Sequence, residues 1–461
     1  MIQNKTAYWL LGVIVVAYAG IGALYAIYTP AWQAPDEPAH YNAIAQVATD
    51  GCCPVIAPGD WDSALLEKLK AGGFPENADL SSIEYEDHQP PLYYLIGAAV
   101  FLATGGSLLA LRLMSVAMGT GAVIAAYVAL ARLYPRRKTL ALSAAAFVAF
   151  LPQHVAILAS VNNDSLGGMV LGILIVTCVT YAGNPVRINV KGQSEAYPLP
   201  SRPHAAALGG LAGVAFLTKL TLYLPAVIIV AIAIIARWRV ERRDKRWLAT
   251  ETAWAAGMAL AFGALWWIRN ITVYGWPDLF GLARHNAVVV GQLRTAELAD
   301  QIGIWPYIQQ YATTVFNSFF GQFGWMGVPM PAATYYAILA FMLATLAGAA
   351  MLATRFRDRL EDYPSQGIAL GVMGGALLAG LVGLIQYNFT FVQFQGRYLY
   401  PGLIPVAALV ALGWQGWAFL IGRGMGAVWE RWLAWLPVAA LAWMPALAVW
   451  ALFKWIVPNL K

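Results

Sequence analysis

The chain has 461 residues, of which 60% are hydrophobic and 11% are charged, and its formal net charge is +6. Several uncharged apolar runs reach the roughly 20 residues that a helix needs to cross a bilayer, which excludes a soluble globular protein. The same runs are too long for the strands of a membrane barrel, which need about 10 residues each. The sequence therefore predicts an all-α polytopic membrane protein.

The apolar runs divide the chain into about 11 transmembrane helices within one integral membrane domain, residues 1–461. The first run, Ala7 to Tyr28, is longer than the apolar region of a signal peptide, so it is interpreted as a retained helix. The predicted spans are 7–28, 107–133, 139–158, 165–183, 205–218, 221–237, 247–268, 332–353, 366–386, 398–420 and 432–453.

The positive charge predicts the orientation of these spans and not a nucleic-acid partner. Basic residues cluster in the short connections 136–138, 237–246 and 355–359, all on one side of the predicted bundle. Such clusters mark the cytoplasmic side, so we expect a cytoplasmic amino terminus. Two long loops, 29–106 and 269–331, then lie outside the cytoplasm, and the first is the predicted catalytic loop.

Both long loops carry apolar residues at helical spacing between polar residues, which predicts amphipathic helices in the membrane interface. The pattern follows Pro38, recurs around Leu65, and runs again from Ile304 to Phe319. The first loop has 11 acidic residues but only Lys68 and Lys70 as basic residues. A lipid phosphate could approach it only with help from a divalent cation or from basic residues of later loops.

The stretch Pro35-Asp36-Glu37-Pro38 just after the first span is the strongest catalytic candidate. Pro38 suits a first helical turn, which makes Glu37 a plausible cap and leaves Asp36 free to accept a proton from a substrate. In the alternative, both acids merely cap the helix. Asp36 and Glu37 are the predicted catalytic residues.

Histidines near these acids suggest a divalent metal of unknown identity as a candidate cofactor. His40 follows Glu37 by three residues, and Glu86-Asp87-His88 forms a second cluster at the far end of the same loop. Glu37, His40 and His88 are the predicted ligands. A network of hydrogen bonds without metal is the alternative.

Arginine at the outer end of a span indicates an anionic ligand, since guanidinium binds phosphate with two donors. Arg397 and Arg269 have this position, as does Lys219, although for Lys219 and Arg112 contact with the lipid interface is an equal alternative.

The Asn162-Asn163-Asp164 turn is expected to cap a helix. Cys52 and Cys53 are expected to be loop thiols, with a disulfide between them as the alternative.

Taken in order, these motifs resemble the GT-C class of membrane glycosyltransferases, in particular the protein O-mannosyltransferase and lipid A aminoarabinose transferase group and its bacterial relatives. The resemblance spans most of the chain. It depends on Pro35-Asp36-Glu37 with His40, His88-Gln89-Pro90-Pro91-Leu92-Tyr93-Tyr94, Asn163-Asp164, Lys219, Arg269-Asn270 with Tyr274-Gly275, Phe323-Gly324-Trp325 and Gly396-Arg397-Tyr398 with Pro401.

The resemblance implies inverting transfer of a sugar from a polyprenyl-phosphate donor to a glycan, lipid or protein acceptor at the outer face of a bacterial plasma membrane. Asp36 would be the base, and Arg397 with Arg269 would hold the lipid phosphate. His88-Gln89 departs from the acid and lysine of the aminoarabinose transferases, a departure that favours metal ligation by His88 over phosphate binding at this position; Gln89 is kept among the predicted phosphate contacts. A secondary transporter or lipid flippase is the alternative function, although its charges would be expected near the bilayer midplane.

Overall fold

The computed structural model describes residues 4–182, 187–190, 193–196, 204–357 and 366–460. These residues form a helical bundle with two small hairpins, which confirms the predicted all-α membrane fold. The helices of the first half are α1 (Asn4–Tyr28), α2 (Glu37–Thr49), α3 (Ser63–Ala71), α4 (Leu92–Thr104), α5 (Leu108–Leu133), α6 (Lys138–Phe150), α7 (Pro152–Leu158), α8 (Asp164–Ala182), α9 (Ala205–Phe216) and α10 (Tyr223–Val240). Those of the second half are α11 (Lys245–Tyr274), α12 (Leu282–Val288), α13 (Thr295–Ile302), α14 (Ile304–Phe320), α15 (Ala332–Arg355), α16 (Gln366–Tyr387), α17 (Leu403–Ile421), α18 (Ala427–Leu433), α19 (Leu436–Ala439), α20 (Met444–Ala451) and α21 (Val457–Asn459).

Within the described residues, nine helical segments are long and apolar enough to cross a membrane, and α6 with α7 forms a tenth, bent one. Each of the ten coincides with a predicted span. The eleventh prediction corresponds to α9, which has only 12 residues. At about 1.5 Å per residue it is about 18 Å long, shorter than the roughly 30 Å of a hydrocarbon core.

Glycines bring the spanning helices into close contact. A Cβ at Gly209 of α9 would lie 2.0 Å from the carbonyl oxygen of Ala255 in α11, and one at Gly348 of α15 would lie 2.0 Å from that of Gly413 in α17. Association of helices in lipid depends on such close packing because lipid tails are as apolar as the side chains themselves. These glycines therefore allow α9 to pack closely on α11, and α15 on α17.

The bend between α6 and α7 shapes the centre of the bundle. The two helices meet at 62° around Leu151, and Pro152 occupies the first position of α7. Proline has no backbone N–H to continue the preceding helix and fits a first helical turn. The bend brings the chain after α7 to the end of α1.

Residues 29–107 and 275–331 cover one face of the bundle, here named the loop face. Of the predicted interfacial helices, α2 and α3 form in the first loop and α14 in the second. Helix α4 was not predicted; its apolar residues were assigned to the loop, and it packs on α2, where a Cβ at Gly97 would lie 2.6 Å from Ile44 Cδ1. Its 13 residues are too short for a span.

The two loops meet at the loop face. Strands β3 (Gln322–Phe323) and β4 (Val328–Pro329) pair in an antiparallel hairpin, following β1 (Arg187–Val190) and β2 (Gln193–Ala196) in the chain. Trp325, in the turn between β3 and β4, donates from Nε1 to the carbonyl oxygen of Trp32 at 3.0 Å. The polar, proline-containing sequence of residues 184–204 also predicts a flexible connector, and the structure describes only 187–190, 193–196 and 204 of it.

Candidate active site

Asp36 lies in the turn between α1 and α2 and does not cap α2. Its φ is 67°, in the left-handed region that non-glycine residues rarely adopt, and its side chain makes no capping hydrogen bond. Instead, Oδ1 accepts a hydrogen bond from the Tyr85 hydroxyl at 2.8 Å, and Oδ2 accepts one from Arg397 Nη2 at 2.5 Å. Burial alone would raise the pKa of Asp36, but the charges of Arg397 and His40 and these two hydrogen bonds lower it to about 2.

Glu37, the next residue, is enclosed by hydrogen-bond donors. Its Oε1 accepts from Arg112 Nε at 2.8 Å and its Oε2 from Arg112 Nη2 at 2.6 Å. The backbone N–H groups of Val161 and Trp32 add bonds of 3.1 and 3.0 Å. Glu37 is 0% exposed. Its carboxylate therefore links α2 to α5 and does not face a ligand, and Arg112 contacts protein and not the lipid interface.

Arg397 uses only part of its hydrogen-bonding capacity in contacts with neighbouring residues. Its Nη1 lies 4.0 Å from Asp164 Oδ2, and Lys219 Nζ binds Asp164 Oδ1 at 2.6 Å. Two acids and two bases thus alternate in one buried cluster. Within the described part of the chain, Nε and Nη1 of Arg397 have no hydrogen-bond partner, although the residue is only 8% exposed. Buried guanidinium donors are normally satisfied, so this arginine has capacity for a ligand.

The position of Arg397 is set by the glycine before it. A Cβ at Gly396 would lie 2.2 Å from the backbone nitrogen of Phe319 and 2.4 Å from the carbonyl oxygen of Val315. The Gly396 N–H donates to Ser318 Oγ at 2.7 Å. Only glycine permits this contact with α14, which holds the following arginine against the cluster.

Glu86 and Gln89 reach the same cluster from the end of the first loop. Burial raises the pKa of Glu86 to about 8, with a further contribution from the negative charge of Asp36. Gln89 bonds to Glu86, and its Oε1 accepts from the Leu220 N–H at 3.5 Å. The surroundings therefore shift the pKa values of two carboxyl groups in the site in opposite directions, that of Asp36 downward and that of Glu86 upward.

A cavity of about 920 Å³ connects the charged cluster to the interior of the bundle. Its polar end is lined by Asp36, Glu86, Gln89, Asp164 and Arg397. Its other end, here named the apolar groove, is lined by Ala122, Val148, Gly167, Gly168, Leu171, Gly172, Ile175, Gly383, Leu403 and Ile404. Along α8 the groove runs from Gly167 to Ile175, about 12 Å at about 1.5 Å per residue, or about two fifths of a roughly 30 Å hydrocarbon core.

The predicted metal site of Glu37, His40 and His88 does not form. His40 Nδ1 lies 2.9 Å from the Tyr94 hydroxyl, and His88 packs against His285 with ring centroids 4.2 Å apart and ring planes inclined at 42°. Glu37 is bound to Arg112, so the three side chains do not meet. Glu37 and His40 are three residues apart on α2, but their side chains bind different partners, Arg112 and Tyr94.

Three other acids do lie close enough to hold a cation. One carboxylate oxygen each from Asp60, Glu84 and Asp87 lies within 4.8 Å of the other two. This is the one such group of three or more acidic, histidine or cysteine side chains in the described residues. None of the three lines the cavity.

Arg269 also differs from its prediction. Its Nη2 donates to the carbonyl oxygens of Cys53, at 3.0 Å, and of Pro54, and its Nη1 donates to the Tyr274 hydroxyl. Arg269 does not line the cavity and instead holds the segment after α2 to α11. The two cysteines beside it, Cys52 and Cys53, form a disulfide and not the expected pair of thiols.

The contacts of Asp164 and Tyr85 with the Asp36–Arg397 pair were not predicted from the sequence. The Asn162-Asn163-Asp164 turn was expected to cap α8, and Asn162 Oδ1 does accept a hydrogen bond from the first N–H of that helix, that of Asp164, at 2.9 Å. Asp164 is thereby free to bind Lys219. The Asn-Asp pair in the resemblance was the available signal for Asp164, whereas no pattern in the sequence marked Tyr85.

The fold and the cavity define a polytopic α-helical membrane protein with a charged pocket at one face that opens into an apolar groove between spanning helices. Residues 54–406 match the family model described as "Predicted membrane protein (DUF2142)", and the chain belongs to that family. The sequence has no significant match among curated proteins.

Several solved structures are distantly similar. ArnT from Cupriavidus metallidurans, bound to undecaprenyl phosphate, matches with a TM-score of 0.47 and 15% identity over 100% of this chain and 74% of ArnT. The archaeal oligosaccharyltransferase AglB from Archaeoglobus fulgidus, in complex with an inhibitory peptide and a dolichol-phosphate, matches with a TM-score of 0.46 and 14% identity over 97% of this chain and 56% of AglB. These likenesses are too distant to assign a substrate or a mechanism to this chain.

Proposed function

We propose that the chain is an inverting glycosyltransferase that moves a sugar from a polyprenyl-phosphate-linked donor to an acceptor hydroxyl at the loop face, with Asp36 as general base. The observation that carries the proposal is the cavity described above. It joins a carboxylate, an arginine with unused donors and an apolar groove, which match the acceptor, the phosphate and the lipid chain of such a reaction.

The donor phosphate would bind Arg397. Two oxygens of one phosphate can accept hydrogen bonds from Nε and Nη2 or from Nη1 and Nη2, and each of these edges of the guanidinium includes one of the two nitrogens that lack partners. Lys219 adds a second positive charge through its contact with Asp164, and Gln89 offers an amide at the same end of the cavity. Arg397, Lys219 and Gln89 therefore stay in the proposed phosphate site, and Arg269 leaves it.

The lipid chain of the donor would lie in the apolar groove. Transfer of an alkyl or isoprenoid chain from water into such a groove is favourable in proportion to the apolar area that it buries. Gly168 of α8 and Gly383 of α16 leave room along its walls, because a Cβ at either position would have no contact with another helix closer than 3.7 Å. A flexible chain that starts at Arg397 can thus descend between the helices.

Donor binding would also activate Asp36. While Asp36 is bound to Arg397 its pKa is about 2, which makes it a weak base. A phosphate that takes the guanidinium donors competes with Asp36 for Arg397, so the basicity of Asp36 recovers when the donor is in place. Tyr85, which bonds the other carboxylate oxygen, would keep the side chain oriented.

In the proposed step, Asp36 accepts the proton of the acceptor hydroxyl while that oxygen forms a bond to the anomeric carbon of the sugar. The bond from the anomeric carbon to the phosphate oxygen breaks, and its electron pair leaves with polyprenyl phosphate. Arg397 stabilises the charge on this leaving group. A single displacement inverts the anomeric configuration. Glu37 takes no part, because its oxygens are already occupied.

The loop face would lie outside the cytoplasm of a bacterial cell, with the amino terminus inside. Residues 136–138 connect α5 to α6 and residues 241–244 connect α10 to α11, both at the face opposite the loops. These connections carry the basic clusters that mark a cytoplasmic side.

The test uses purified full-length protein in liposomes with a panel of polyprenyl-phosphate sugars and a membrane extract as the source of acceptor, and it measures release of polyprenyl phosphate. We expect at least one donor to react. A general base contributes about 10²–10⁴-fold in rate, so Asp36→Asn should lose turnover by that factor. Asp79→Asn, an exposed acid of the same loop, is the matched control.

The outcomes separate the proposals. Equal release by wild type and Asp36→Asn would show that Asp36 is not the base. No release from any donor, together with faster movement of a labelled donor across the bilayer when protein is present, would replace the enzyme by a lipid flippase. No release and no movement would overturn both.

A further inference from the structure

We infer that Asp60, Glu84 and Asp87 bind a divalent cation of the calcium type, at a site separate from the cavity. The three acids come from two distant parts of the first loop, the turn before α3 and the segment before α4. One carboxylate oxygen from each lies within 4.8 Å of the other two. Within the described residues none of the three acids forms a salt bridge with a basic side chain.

Asp87 supplies the second observation. It is only 4% exposed, and its Oδ1 has no hydrogen-bond partner in the described structure. Its Oδ2 accepts from Gln46 Nε2 at 2.9 Å, so the side chain is fixed in place. A buried carboxylate oxygen without a partner is costly, and a cation among three converging carboxylates would satisfy it.

The ligand type decides the class of cation. All three side chains offer oxygen, with neither histidine nor cysteine in the group, which favours a hard cation over zinc. Ca²⁺ accepts six to eight oxygens in flexible geometry and uses backbone carbonyls and water to complete its shell. Three carboxylates from irregular segments fit that tolerance better than the near-ideal octahedron of Mg²⁺.

The cation would act on the site by holding the loop together. It would join Asp60 to the segment Glu84–Asp87, and through Asp87 and Gln46 it would reach α2. Tyr85, whose hydroxyl donates to Asp36, lies inside that segment. The bound cation is thus a structural clamp on the first loop that touches no reacting atom, and its binding does not depend on the proposed transfer reaction.

The experiment uses the purified full-length protein after treatment with EGTA, with Tb³⁺ as a luminescent stand-in for Ca²⁺. Trp61 follows Asp60 directly and packs on Tyr85 with ring centroids 5.1 Å apart, so it is placed to sensitise a bound Tb³⁺ ion. We expect saturable emission that Ca²⁺ displaces, and a Tm that rises with Ca²⁺ concentration. Trp61→Phe should lose most of the emission and keep the Tm response.

Variants locate the site. Asp87→Asn and Glu84→Gln should each weaken Tb³⁺ binding at least tenfold, whereas Glu76→Gln, an exposed acid of the same loop, should bind as wild type does. The Tm response of the wild type keeps the test valid if Asp87→Asn fails to fold. Emission that is unchanged in both Glu84→Gln and Asp87→Asn, or a Tm that ignores Ca²⁺ and EGTA in the wild type, would overturn the inference.

Discussion

Asp36 and Glu37 are neighbours in the sequence, and each binds an arginine from a distant helix. Glu37 and Arg112 satisfy each other with two hydrogen bonds, and backbone groups occupy their remaining capacity. Asp36 receives one bond from Arg397, which keeps two donors unpartnered and lines a cavity. One pair is closed to ligands and the other is open to them.

The difference comes from the backbone between the two residues. The left-handed φ of Asp36 turns its side chain away from α2, while Glu37 at the start of α2 points into the bundle. A closed buried pair contributes to holding helices together, whereas an open one keeps charge available for a substrate. Three substitutions and one change of pH test the contrast between the two ion pairs.

Glu37→Gln should have the largest effect on stability. It leaves Arg112 buried without a counter-charge, and removal of one partner of a buried ion pair costs about 3–5 kcal/mol. Thermal unfolding in detergent should show a large fall in Tm, and Asp36→Asn should show a smaller one because its pair is partly open to the cavity. A Glu37→Gln protein with wild-type Tm but no activity would reverse the roles that we assign to the two acids.

Arg397→Lys should mainly weaken donor binding. A hydrogen bond to a charged group contributes about 1.5–3 kcal/mol, so loss of the planar fork should raise the KM for the donor about ten- to hundredfold. Arg269→Lys is the matched control because Arg269 binds loop carbonyls and does not line the cavity. If Arg269→Lys raised the KM as much as Arg397→Lys did, the phosphate site would have to include both.

The spans were predictable because bilayer thickness dictates the length of an apolar helix, and this property is local in sequence. The placement of Asp36 and Arg397 at one face followed from the alternation of spans. Helix α4 was missed because 13 apolar residues are too few for a span and carry no polar stripe.

Which side chains contact each other within the site could not be predicted from the sequence. Arg397 and Asp36 are 361 residues apart, so their contact depends on how all the intervening helices pack. Asp36 and Glu37 were predicted to act together as catalytic residues, because no feature of the neighbouring sequence indicates the left-handed backbone at Asp36 that directs the two side chains apart. The same limit explains why the Asn162-Asn163-Asp164 turn was expected only to cap a helix, although Asp164 also binds Lys219.

Gly383→Leu should obstruct the apolar groove without disturbing the fold. No heavy atom lies within 4 Å of a Cβ built at Gly383, which lines the cavity, so the new side chain would project into open space. We expect the KM for a long-chain donor to rise about tenfold, equivalent to about 1.4 kcal/mol of lost burial. A short-chain donor should be affected less.

The control for Gly383→Leu is Gly374→Leu. Gly374 lies on the same helix, α16, with equally open space around its Cβ, but it does not line the cavity. It should leave the KM for the long-chain donor unchanged. Equal effects of the two variants would mean that the groove does not hold the lipid.

The smallest effect concerns pH and tests whether the open pair is formed before the donor binds. The folded-state pKa of Asp36, about 2, is below its unfolded value of about 3.9, so the ionised carboxylate stabilises the fold. This contribution is fully present above about pH 4 and is lost as the pH falls through about 2. The Tm difference between wild type and Asp36→Asn should therefore stay constant from pH 8 to about pH 4 and shrink below it. If the difference vanished already near pH 6, Asp36 would not be held by Arg397 in the free protein, and donor binding would have no pair to open.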